Sequence, residues 1–171
     1  MDIVMIVLRL LHIFGGILWA GSAFFLVLVL MPAMNAMGQE GIRFRQSFLV
    51  KSRFNALMPV ASVLTTLAGI ILFVRVSDHF NSDWLSSDGG IVLSIGSLAG
   101  LMAFGHGQSV TGPAFRRTAT LLKAIEAQGS PPTEAQVAEL QALGRKSARN
   151  ARISILLLII AIVGMSAARY M

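Results

Sequence analysis

Residues 10–32 read LLHIFGGILWAGSAFFLVLVLMP, an unbroken apolar run in which His12 is the only ionisable side chain. A membrane-crossing helix needs roughly 20 predominantly apolar residues to traverse about 30 Å of hydrocarbon. This stretch meets that requirement by itself. A secretory signal would want a positive start, a shorter apolar core and a small-residue cleavage site. Met1-Asp2 supplies no positive charge and the run is too long, so the segment is read as a retained span.

Working outward, apolar blocks recur, and spans are placed at about 8–30, 56–75, 90–112 and 152–169. The composition agrees: 55% of the 171 residues are hydrophobic, 13% are charged and the mean hydropathy is +0.73. Soluble domains usually carry about 25% charged residues. The expected fold class is all-α, a polytopic four-transmembrane-helix bundle forming one domain, with short cytoplasmic amphipathic helices.

The basic residues orient this bundle. Arg43, Arg45, Lys51 and Arg53 lie on the first connection. Arg116, Arg117, Lys123, Arg145, Lys146, Arg149 and Arg152 lie on the third, so eleven of the fourteen Lys and Arg fall on one side. Lys and Arg concentrate in cytoplasmic loops. The expected location is therefore a bacterial inner membrane with both termini periplasmic and the bilayer as principal partner. The net charge of +6 flanks apolar blocks, which is a topology pattern and not a nucleic-acid one.

The connections have distinct characters. Residues 76–89 form an acidic loop in which Trp84 is suited to an aromatic anchor at the membrane interface. Gln39 to Arg53 mixes Ile42, Phe44, Phe48 and Leu49 with basic residues, the pattern of a short helix lying on the membrane surface. Gly129-Ser130-Pro131-Pro132 breaks the third connection. Thr133 to Gln136 follows as a capping box, opening a helix that runs through Arg149 into the fourth span.

Within lipid, helices associate through small residues that let backbones approach. Span three offers Gly96, Gly100, Ala103 and Gly107 on one face; span one offers Gly15, Gly16, Ala20 and Ala23; span two offers Ser62, Thr65, Thr66 and Gly69. If the chain is a subunit of a larger membrane complex, small residues such as Ala161 and Gly164 in span four are expected to mark the face that docks on another membrane protein or a second copy.

Ionisable residues inside spans are functional candidates, because their burial must be compensated. His12 has Arg9 one turn before it and Gly15, Gly16 and Trp19 after it. That set suits a haem: histidine is a common axial ligand, and arginine suits a propionate carboxylate. It equally suits a neutral histidine bonded to a neighbouring helix. His106, bracketed by Gly105 and Gly107, is the second candidate for a cofactor or metal ligand, with an interhelical hydrogen bond as its other reading. Counting about 1.5 Å per residue, the two histidines lie at different depths, so one bis-histidine haem is not expected. Met58 and Met102 lie near the depth of His106.

Other chemistry is excluded by composition. There are no cysteines, hence no disulfides, thiolate metal sites or iron–sulfur clusters. No phosphate-binding glycine loop, His-Glu-x-x-His motif or Ser/His/Asp set is present, and no carboxylate lies inside the four spans, where a proton-coupled transporter would place one.

Leu11-His12-Ile13, followed by Trp19-Ala20-Gly21, Phe24-Phe25 and Pro32, resembles the first helix of the copper-resistance D-like membrane proteins and of HemJ-type protoporphyrinogen oxidases. It is most similar to a four-helix branch of that superfamily of about this length. The resemblance covers residues 8–32 and is architectural elsewhere. It implies a bundle associated with haem b or, with less support, copper, in which His12 matches the family histidine. The oxidase-type proteins carry a basic residue just after the proline, where this chain has Ala33, which points away from porphyrinogen oxidation. Three functions are thus in view: a haem- or metal-associated module for electron transfer or haem and copper handling, a cofactor-free structural subunit of a larger membrane complex, and a small-solute or metal-ion permease.

Overall fold

The computed structural model describes residues 2–171, the side chain of residue 39 excepted. Among them there is no strand. Four helices are long and apolar enough to cross a membrane: α1 (Ile3–Ala36), α3 (Phe54–Val76), α5 (Asp88–Gln128) and α6 (Glu134–Tyr170). Two shorter helices join them, α2 (Gln39–Lys51) between α1 and α3, and α4 (Ser82–Ser86) between α3 and α5. The expected spans all fall inside these helices, but α1, α5 and α6 extend well beyond the apolar runs.

Local signals account for the boundaries. The Asp2 carboxylate accepts from the Val4 and Met5 N–H groups, satisfying two orphan donors at the start of α1. Ser87 caps α5 through Gly90 N–H. Thr133 and Gln136 form the anticipated capping box, at 2.8 and 3.3 Å. Gly38 and Gly129 take positive φ, which glycine adopts without steric cost, where α1 and α5 end. Asp78, His79 and Phe80 also have positive φ. That turn is held by Phe80 N–H to Ser77 Oγ and by packing of Phe80 on Phe73, whose ring also meets Trp84 edge-on at 5.8 Å.

Pro32 and Pro113 do not end their helices. Each is preceded by a wide turn, Leu26–Leu30 in α1 and Gly107–Thr111 in α5, in which the hydrogen bonds span five residues. The Met31 N–H reaches Leu26 O, and the Gly112 N–H reaches Gly107 O. Proline has no N–H to give, and its ring crowds the carbonyl four residues back. Widening the turn moves that carbonyl aside, so the helix continues through the proline. A third wide turn, Ile17–Gly21, has no proline after it.

The long helices pack as two antiparallel pairs, α1 with α3 and α5 with α6. Close approach requires glycine at specific points. A Cβ on Gly96 would stand 2.8 Å from the Met165 nitrogen, and one on Gly164 would stand 2.8 Å from Gly96 Cα. Gly15 abuts the Thr65 side chain. Ala20, Ala103 and Leu158 form the core where the two pairs meet, with Trp19, Ala23, Phe24 and Leu157 packed around it. Gly107 departs from the expected packing stripe, because nothing lies within 4 Å of where its Cβ would be. Ala161 and Gly164 also depart from expectation. They are buried against α5 and are internal packing positions, not an exposed docking face.

Candidate functional site

His12 projects from α1 onto α3. Its Nδ1 lies 2.8 Å from the backbone carbonyl of Thr65. A carbonyl only accepts, so Nδ1 carries the proton and donates, and in the neutral ring Nε2 keeps its lone pair. Thr65 O has two lone pairs, so it can receive the imidazole as well as the helical N–H of Gly69. The ring takes the space a side chain at 69 would need, a Cβ there falling 2.7 Å from Cε1 and 2.9 Å from Nδ1. A ring N–H held by a backbone carbonyl is the usual means of fixing the tautomer and orientation of a metal-ligating histidine.

Arg9, one turn before His12, is exposed on α1. The glycines of this region are occupied from within the chain. Thr65 fills the notch at Gly15 and approaches Gly16, and His12 fills the notch at Gly69. The imidazole therefore fits a haem iron or a metal ion as a single ligand. The glycines do not provide a free flat face for a macrocycle. Among the described residues no three His, Cys, Asp or Glu side chains converge as a metal-holding group.

His106 belongs to the other helix pair. Its Nδ1 faces two hydroxyls, Ser154 Oγ at 3.1 Å on α6 and Thr111 Oγ1 at 3.5 Å on α5. Hydroxyls donate or accept, so here the tautomer is not fixed as it is at His12. Gly105 and Gly107 on either side have open space, with no atom within 4 Å of a Cβ at either position. The two histidines engage different partner helices, and the structure does not bring them into a common set of ligands. Of the two methionines noted at this depth, Met102 is exposed and Met58 lines a cavity.

That cavity, about 140 Å³, lies between all four long helices. Every wide turn contributes to its wall: Trp19 from the first, Leu26 and Val27 from the second, and Gly107, Gln108 and Thr111 from the third. Wide turns of this kind occur frequently at functional sites. One wall carries a polar chain in which Gln108 Nε2 donates to Ser62 Oγ at 3.0 Å and Ser62 donates to Pro59 O at 2.9 Å. Ser154, the partner of His106, also lines it. Sequence reasoning singled out neither Gln108, Asn55 nor Ser147 in this wall, and took Arg116 only as a topogenic charge. The prolines at 32 and 113, each just inside the basic end of a long apolar helix, were the available hint.

Comparison with protein-family models, with curated proteins and with solved structures finds no match to this chain.

Proposed function

We propose that this chain is a haem- or metal-associated module of the bacterial inner membrane, serving electron transfer or haem handling, with both termini in the periplasm. The observation that carries this reading is the 2.8 Å bond from His12 Nδ1 to Thr65 O. It holds the ring in one orientation and leaves Nε2 as a Lewis base, the arrangement a ligating imidazole requires. Arg9, free on the same helix, is suited to bind a carboxylate of the bound group. The likeness of residues 8–32 to haem- and copper-associated membrane proteins points the same way. A haem bound there would supply one-electron chemistry at its iron. The chain's own part is to bind, orient and keep water from one side of the ring. Haem b is favoured over copper, since no methionine-rich or histidine-rich face accompanies His12.

A second reading rests on the filled glycine notches. Thr65 against Gly15 and His12 against Gly69 already account for these residues as packing. On that reading His12 is an interhelical hydrogen bond and the chain is a cofactor-free subunit of a membrane complex.

A visible spectrum of protein purified from haem-replete cells, oxidised and then reduced, separates the two. The first reading expects a Soret band that His12→Ala abolishes and Arg9→Ala weakens in retention. A protein without a band, or with one that His12→Ala leaves intact, belongs to the second.

A further inference from the structure

The cavity takes no part in the His12 reading, and its own chemistry is specific. Its apolar end is lined by Trp19, Ala23, Ala103 and Leu158. Its other end, toward the basic side of the bundle, is lined by Asn55, Arg116 and Ser147. From Leu158 to Ser147 the wall follows α6 for roughly 16 Å at about 1.5 Å per residue. Apolar voids of about 150 Å³ admit a guest the size of benzene. A similar volume, here about 140 Å³ along that wall, has room for part of an alkyl chain and is too small for a macrocycle.

Among the described residues, Arg116 is the only charged one in the lining, and no Asp or Glu joins it. Among the described residues the ion pairs are Asp78 with His79 and Arg117 with Glu139, so Arg116 has no carboxylate partner. Arg116 is exposed, with one end of its guanidinium lying against its own helix. Nη1 lies 3.2 Å from where a Cβ on Gly112 would stand, folded back along α5 against another residue of the cavity wall. Gly112 is the residue whose N–H closes the wide turn before Pro113. The bare backbone at 112 thus leaves room for the cation beside the slot.

We infer that the slot binds one amphiphilic anion, with a single alkyl chain running toward Trp19 and a carboxylate or phosphate head at Arg116. A planar guanidinium offers paired N–H donors to either oxyanion. Ser147 stands at the same end, and Asn55, whose Nδ2 already donates to Leu49 O at 2.9 Å, keeps one further N–H for a ligand oxygen. The head belongs either to a free long-chain carboxylate or to a bilayer phospholipid that lends one chain to the slot.

Trp19 reports on occupancy. The chain has two tryptophans, so Trp84→Phe leaves Trp19 as the sole tryptophan, excited selectively over Tyr170 at the red edge. In phosphatidylcholine nanodiscs, this protein is titrated with brominated stearate, its neutral methyl ester, and brominated phosphatidylglycerol. Saturable quenching by stearate identifies a free carboxylate as ligand, and saturable quenching by phosphatidylglycerol alone identifies a lipid phosphate. In either case Arg116→Gln weakens binding by about tenfold or more, as expected for loss of a charge-assisted hydrogen bond. Arg116→Lys recovers part of it, and Gly112→Val weakens it while the helical melting curve is retained. Quenching that never saturates, an ester as effective as the acid, or an Arg116→Gln titration matching the parent would each overturn the inference.

Discussion

The imidazole of His12 stands in the place a side chain at Gly69 would occupy, 2.7 Å from the position of its Cβ. The two residues are therefore complementary in volume. Gly69→Ala must push the ring off α3 and stretch its bond to Thr65 O. Overpacking of this kind costs about 1–3 kcal/mol. In detergent unfolding, Gly69→Ala should be destabilised, and adding His12→Ala should recover most of the loss. The double-mutant cycle then gives a coupling of about 1 kcal/mol or more. Additive effects would mean that the ring does not sit in the notch.

Gly164→Leu tests the α5–α6 crossing. With Gly96 Cα 2.8 Å from a Cβ at 164, the larger side chain forces the helices apart. The expected loss is about 3 kcal/mol or more, seen as lower yield and a lower melting temperature in mild detergent. Gly105→Ala, where a Cβ meets nothing within 4 Å, should be tolerated and gain up to about 1 kcal/mol of helix propensity. A Gly164→Leu protein as stable as the parent would show that the crossing is not this close.

Among the described residues, two buried side-chain polar atoms have no hydrogen-bond partner, Thr65 Oγ1 and Asn150 Nδ2. Replacing such a group by an apolar one of similar shape removes a desolvation penalty. Thr65→Val keeps the backbone carbonyl that serves His12, and it should be neutral or stabilising by about 1 kcal/mol. Asn150→Leu should behave likewise, as read by thermal unfolding. Clear destabilisation by Thr65→Val would indicate that the hydroxyl is used.

The distribution of Lys and Arg makes a prediction about orientation. A reporter active only in the periplasm should be active when fused after Met171 and silent when inserted at Gly129. The opposite pattern would invert the bundle.

The parts of this molecule legible in its sequence are those set by local composition. The four spans follow from apolar length, the start of α6 from Thr133 and Gln136, and the break before it from Gly129. What depends on distant pairing was not legible. The partner of His12 is a backbone carbonyl, so no residue type at position 65 announces it. Glycine stripes indicated close approach without saying where: Gly96 meets Gly164, whereas Gly107 faces open space. Ala161 and Gly164 read as a docking face because small residues serve internal and external crossings alike. The cavity has no compositional mark, since it arises where faces of four helices fail to fill the space between them.

The wide turns of α1 have a consequence for how this chain tolerates changes in length. A turn closed across five residues holds one residue more than an α-turn closed across four. Such a helix can shed a residue there and still be a continuous helix. Because the extra residue is taken up within the wide turn, shedding it leaves everything beyond facing nearly as before, whereas a residue lost from a regular α-turn would swing everything beyond it by roughly 100° about the axis. His12 lies before both wide turns of α1, and Leu26, on the cavity wall, lies within the second. Deleting one residue within Ile17–Gly21 would thus leave Leu26 on the cavity wall and His12 against Thr65, whereas a deletion in the regular helix between His12 and Gly16 would turn Leu26 away from the cavity. The angle between the histidine and the cavity therefore survives the loss of a residue at a wide turn and not elsewhere between them.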